Sequence, residues 1–98
     1  MTVWNYRNLA ATSTVILNGG PCDLIAVVVN TAAASAVVSV FDGVGLTTTG
    51  MRPVATIDAS ATGNFFYGNR CQNGLTVTLS GGNANVTVVF DQLVDDDE

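Results

Sequence analysis

Asp42 and Asp58 are the first residues to weigh for chemistry. Two carboxylates held a short distance apart can act as general acid and general base. Each of these, however, ends an apolar run beside turn-forming residues, where Asp favours hydrogen bonds to nearby backbone N–H groups. The chain has no Lys and no His. Its Ser, Thr and Cys residues therefore lack the usual bases that turn them into nucleophiles. Gly19-Gly20-Pro21 and Gly81-Gly82-Asn83 are glycine-rich, but neither opens a helix or carries the lysine of a phosphate loop. They read as turns. Asp95-Asp96-Asp97-Glu98 lacks the preset geometry of a calcium site and reads as a solvated acidic tail. The expectation is a protein that is not an enzyme and holds no cofactor or metal.

Cys22 and Cys71 are the only cysteines. They could form one bridge if their strands lie side by side. No signal peptide is expected, because the start Met1-Thr2-Val3-Trp4-Asn5 has neither a basic nor an apolar stretch. A reducing starting compartment then favours two buried free thiols. Two cysteines without histidine cannot build a zinc site. Asn85-Val86-Thr87 matches a glycosylation acceptor, but it lies within a strand pattern and reads as coincidence.

Charge narrows the partners. Net charge is -5, and the side-chain cations are Arg7, Arg52 and Arg70. Three scattered arginines cannot neutralise a run of phosphates, so nucleic acid is excluded as a partner. Residues 24–29 form the longest unbroken apolar run, far short of the ~20 needed to span a bilayer as a helix. Charged residues make up 11% of the chain, less than half the usual ~25%. Its surface must then be built from Thr, Ser, Asn and Ala, or be covered by a partner. Trp4 and Tyr6 are large aromatics near the N-terminus, suited either to capping the core or to anchoring a partner. Arg7, Arg52 and Arg70 suit bidentate pairs, within the chain or across a subunit boundary. Trp4, Tyr6, Arg7, Arg52 and Arg70 are the candidate interface residues.

The elements that must position these residues are strands. Leu75-Thr76-Val77-Thr78-Leu79-Ser80 alternates apolar and polar without a break, and Asn85-Val86-Thr87-Val88-Val89-Phe90 reads as a second half-buried strand. With Gly81-Gly82-Asn83 between them, the pattern predicts an antiparallel hairpin. Its core face would be Leu75, Val77, Leu79, Val86, Val88 and Phe90. Its Thr76, Thr78 and Thr87 face could lie against a flat partner without burying charge. Six further strands are predicted over residues 5–9, 14–18, 22–31, 36–42, 54–58 and 64–70. The third is apolar on both faces around Ile25-Ala26-Val27-Val28-Val29 and belongs in mid-sheet or under a partner. Ala32-Ala33-Ala34 is a turn between strands, and residues 45–52 form the most loop-like stretch. Asn73-Gly74 is the strongest tight-turn pair. Strands of this length and spacing predict an all-β fold, a single antiparallel β-sandwich or jelly-roll-like domain of about eight short strands. The domain spans residues 1–94, and 95–98 are the tail.

The order of these segments resembles a known family. It runs Ala-Thr-Ser-Thr-Val-Ile at 11–16, Gly-Gly-Pro at 19–21 and Ile-Ala-Val-Val-Val-Asn at 25–30. Val-Phe-Asp-Gly at 40–43, Ala-Thr-Ile-Asp at 55–58, Gly-Asn-Phe-Phe-Tyr-Gly at 63–68 and Cys-Gln-Asn-Gly-Leu-Thr-Val at 71–77 follow. From about Tyr6 to Phe90, this resembles the small structural proteins of tailed-bacteriophage virions. The resemblance implies a capsid decoration or cement protein that oligomerises on the head surface, a trimer ahead of a dimer, and contacts the major capsid protein. It implies assembly in the host cytoplasm and residence on the virion. The alternative is a fibre or tail-tip module that touches the host surface, for which residues 46–52 are the place to look. No motif transfers a role to any single residue.

Overall fold

Alternation of small apolar and hydroxyl residues gives each segment one face to bury, and the chain buries these faces in two stacked sheets. The computed structural model describes residues 2–93, except for the side chains of residues 2–4, 66, 67, 92 and 93. The tail at 95–98 lies outside the described residues. The elements are β1 (Thr2–Leu9), β2 (Ser13–Asn18), β3 (Cys22–Thr31), β4 (Val37–Asp42), β5 (Arg52–Asp58), β6 (Gly63–Cys71), β7 (Leu75–Ser80) and β8 (Asn85–Leu93). One four-stranded sheet has the order β1-β8-β3-β6 and the other β2-β7-β4-β5. Every neighbouring pair is antiparallel.

The pairing follows one rule. The first strand meets the last, the second the seventh, the third the sixth and the fourth the fifth. The chain is thus a single long antiparallel ribbon, bent at the β4–β5 loop and rolled up. Rolling adds the contacts of β3 with β8 and of β4 with β7. This is the jelly roll, one of the closed solutions for antiparallel sheets that would otherwise expose long edges.

Both inner faces supply the core. Leu24, Val27, Val29, Val86, Val88 and Phe90 come from one sheet, and Val38, Val40, Ile57, Leu75, Val77 and Leu79 from the other. The six predicted core residues of β7 and β8 are all buried there. As expected of its apolar run, β3 is interior to its sheet, between β8 and β6. Edge strand β5 carries Pro53, which cannot donate to a further strand, and its register shifts there.

The predicted hairpin does not form. β7 and β8 lie in different sheets, and Gly81-Gly82-Asn83 carries the chain across the core. Alternation shows that a strand has one buried face but does not name its neighbour. The corner also packs too tightly for an ordinary turn. Gly81 has φ +83°, and a Cβ there would overlap the Ser35 carbonyl oxygen. Asn73-Gly74 likewise connects the two sheets, from β6 to β7. Of the seven links, only the β4–β5 loop joins neighbours in one sheet.

At one end of the sandwich the links bind each other directly. Ala33 N–H donates to Ala59 O (3.2 Å) and Ala59 N–H to Ala36 O (2.9 Å), so the β3–β4 and β5–β6 links are tied. The Gly81 corner rests on this tie. Gly81→Ala should cost about 2–4 kcal/mol in urea unfolding, because backbone must move to admit the methyl group. Gly19→Ala, which meets nothing within 4 Å, should stay within about 1 kcal/mol of the parent.

Candidate interaction surface

Side chains on one face of a sheet fall into rows across the strands, so register shows which residues share a surface. On the outer face of the β1-β8-β3-β6 sheet, one row runs through positions 70, 23, 91 and 4. The next runs through 66, 26, 89 and 6, and the third through 64, 28, 87 and 8. Sequence proximity would not assemble any of these rows.

The first row is electrostatic. Arg70 Nε donates to Asp23 Oδ1, and Arg70 Nη2 to Asp23 Oδ2 at 3.4 Å. Asp23 raises the Arg70 guanidinium above its ordinary value, first by hydrogen bonding and then by charge. Arg70 is half exposed, so solvent screens most of what the pair contributes to stability. Asp91 stands directly opposite Asp23. Like charges in that relation repel. Asp91 is only 9% exposed, and its Oδ1 has no hydrogen-bond partner among the described residues. A buried acceptor left unpaired is costly, so a donor from elsewhere would gain by reaching it.

The second row is apolar and aromatic. Tyr6 is 75% exposed beside half-buried Val89, with Ala26 next in line. The third row passes into an uncharged polar cluster. Asn8 Nδ2 donates to Asn85 Oδ1 (2.8 Å) and Thr87 Oγ1 (3.1 Å), and Asn30 Nδ2 to the same two oxygens (3.0 and 2.9 Å). Three strands are laced together on the surface without any ionic charge. Asn85 and Thr87, the ends of the glycosylation-like triplet, are both committed to this cluster.

The structure therefore groups some of the candidate interface residues and separates others. Tyr6 and Arg70 share this face. Trp4 shares it by register only, since its side chain lies outside the described residues. Arg7 is exposed but falls in the other phase of β1, opposite Val88. Arg52 is exposed on edge strand β5 of the second sheet, opposite Asp42. The sequence reading missed Asp23, Asp91 and the Asn cluster. Asp91 comes just after Phe90, where the strand pattern ends, so its burial had no signal in the sequence.

The proposed threonine face also changes. Thr78 lies on the outer face of the second sheet, where its hydroxyl meets Thr14 Oγ1 at 3.0 Å. Thr87 is on the opposite side of the molecule. Thr76 has no exposed surface and donates to Gly43 O at 2.8 Å. The three cannot serve one flat contact, because their strands belong to two sheets.

Asp42 and Asp58 are not brought together. They occupy opposite ends of the β4–β5 pair, facing Arg52 and Val37 respectively. That is five residues along a strand, about 17 Å. Asp42 is buried and accepts the Gln72 N–H (3.0 Å) and the Asn73 N–H (2.8 Å), which fastens the β6–β7 corner to the end of β4. Asn18 makes a similar fastening beside it, donating to Gly20 O at 2.7 Å. Asp58 closes its own turn through Ser60. Among the described residues no group of three or more His, Cys, Asp or Glu could hold a metal ion. Among them, too, no helix is long and apolar enough to cross a membrane.

No family model matches the chain, and no curated protein is similar to it in sequence.

The turn at Asp58 gives a direct check on its structural role. The Ser60 hydroxyl (2.5 Å) and the Ser60 N–H (2.9 Å) both donate to Asp58 Oδ1. They hold its carboxyl below the ordinary 3.8, the hydroxyl contributing most. A depressed folded-state value means that the ionised group favours the fold. That contribution is complete above the ordinary value and fades as pH falls through the lowered one. Carbon-detected NMR titration should find the Asp58 midpoint below 3.8. Ser60→Ala should move it upward but not fully back, because the backbone N–H remains.

Proposed function

We propose that this protein is a bacteriophage virion structural protein, a decoration or cement protein that oligomerises on the head and stabilises the capsid lattice. The observation that carries the reading is the outer face of the β1-β8-β3-β6 sheet. It offers an exposed tyrosine, a half-exposed arginine, half-buried valines and a buried carboxylate oxygen in want of a donor. Tyr and Arg are the residue types enriched at binding hot spots, and exposed charge on this face is sparse. The segment order that resembles tailed-phage structural proteins supports the same reading. Fold alone does not, since jelly rolls serve many functions.

In this reading the face lies against the major capsid protein or a second copy of the chain, with trimers favoured over dimers. An arginine or amide from the partner reaches Asp91, and Tyr6 seats in an apolar recess. Each contact is modest, but many copies on one shell add their energies through multivalency. The protein would assemble in the host cytoplasm and remain on the capsid surface. It has no enzymatic role in this reading, and neither nucleic acid nor membrane is a partner.

A second reading, a fibre or tail-tip module that binds the host surface, draws on the β4–β5 loop. Its Leu46 is 68% exposed and its Val44 49%, and loops on rigid sandwiches often carry recognition. Sedimentation with expanded capsids separates the two. For decoration, the protein is oligomeric and co-sediments, and Tyr6→Ala or Arg70→Ala weakens binding at least tenfold, about the loss of one hot-spot contact. Leu46→Ala leaves capsid binding unchanged. A strictly monomeric protein with no capsid affinity would overturn the decoration reading. Binding to host envelopes that Leu46→Ala abolishes would establish the second.

A further inference from the structure

Cys22 and Cys71 are 49 positions apart in the chain, yet the fold makes them direct register partners in β3 and β6. Residues directly opposite in an antiparallel pair have Cα atoms about 4.5–5.5 Å apart. A disulfide spans about 4.4–6.8 Å. Both side chains have no exposed surface, and both thiols are free. The pair sits where β6 ends, with exposed Gln72 and Asn73 just beyond, and β6 is an edge strand. A strand end on a sheet edge opens locally at lower cost than the whole domain unfolds, here by releasing the Gln72 and Asn73 N–H groups from Asp42.

We propose that Cys22 and Cys71 are a dithiol site that closes to an intramolecular disulfide when the protein meets a disulfide oxidant, stapling edge strand β6 to β3. Either thiol can open the exchange once the end of β6 loosens, and the steps are the same with the two exchanged. In the closed pair the facing Cys71 thiol lowers Cys22, while Cys22 and burial push Cys71 well above the ordinary thiol range. The Cys22 thiolate attacks one sulfur of a small-molecule or oxidoreductase disulfide, whose S–S bond breaks and releases one thiolate. Cys71 then loses its proton and attacks Cys22 Sγ in the mixed disulfide, expelling the second thiolate. Two protein thiols are oxidised, one oxidant disulfide is reduced to two thiols, and the two protons pass to those products. The site rests on the fold alone and is independent of whether the protein coats a capsid.

The experiment uses the full chain, reduced, freed of reductant and incubated with oxidised glutathione. Remaining thiols are blocked with N-ethylmaleimide in denaturant, and intact mass and peptide mapping follow. The expected product is a monomeric chain that has lost two hydrogens and takes up no maleimide, with the peptides holding residues 22 and 71 joined. Its thermal midpoint should rise by about 10 °C or more, a typical gain for closing a loop of this length in a small domain. Dithiothreitol should reverse both changes. Cys71→Ser should stop at a stable glutathione adduct on Cys22, and Cys22→Ser at one on Cys71. Should the single variants not fold, the mass map of the parent decides alone. Thiols that stay open to maleimide after oxidation, or that form only glutathione adducts or bridges between chains, would overturn the proposal. So would a bridged form that melts below the reduced one.

Discussion

Nested antiparallel pairing is the constraint from which the rest of this structure follows. Each strand is half apolar, so each needs a shared interior as well as a neighbour for its backbone. Folding the chain as one ribbon, first strand against last, gives each strand one backbone partner. Rolling that ribbon then turns the apolar face of every strand inward. Neither step suffices alone. A flat ribbon would expose its valines, and two unlinked hairpins would leave more open edges.

Such a topology places its demands on the corners. Six of the seven links leave one sheet for the other, and each must turn without stranding backbone N–H or C=O groups in the core. At one end the links satisfy each other directly, through Ala33, Ala36 and Ala59. At the other, side chains perform the task. Among the described residues, Asn18, Asp42 and Thr76 are three of the four buried polar residues, and each holds a corner backbone group. The fourth, Asp91, holds none with its Oδ1. That contrast is why Asp91 draws the eye toward a partner while Asp42 does not.

The same register that builds the core also composes the surface. Outer-face rows gather residues from β1, β3, β6 and β8 that lie tens of positions apart in the chain. They produce an electrostatic end, an apolar middle and an uncharged amide cluster on one sheet. The sparse charge of the sequence is thereby concentrated: Arg70, Asp23 and Asp91 share a single row. The pairing that aligns them also aligns Cys22 with Cys71 on the inner side of the same strand pair.

Much of the architecture was legible in the residues. Alternation, the apolar run of β3 and the turn signals between them together located all eight strands, because a half-buried strand imposes a period of two. Glycine and Asn-rich links marked the ends, and the apolar run of β3 announced an interior strand. Strand ends were less legible. β8 runs three residues beyond Phe90, through Asp91 and Gln92, because β1 continues alongside it, and pairing overrides local polarity. What the sequence by itself determined is the strand content, the inward faces and a chain without Lys or His. Only the tertiary structure decided which strands are neighbours. It split β7 from β8, sent Thr76, Thr78 and Thr87 to three different environments, and set Asp42 far from Asp58. The physical reason is that period and polarity are local, whereas backbone pairing is indifferent to side-chain identity. Which edges meet is settled by how the whole ribbon closes around one core.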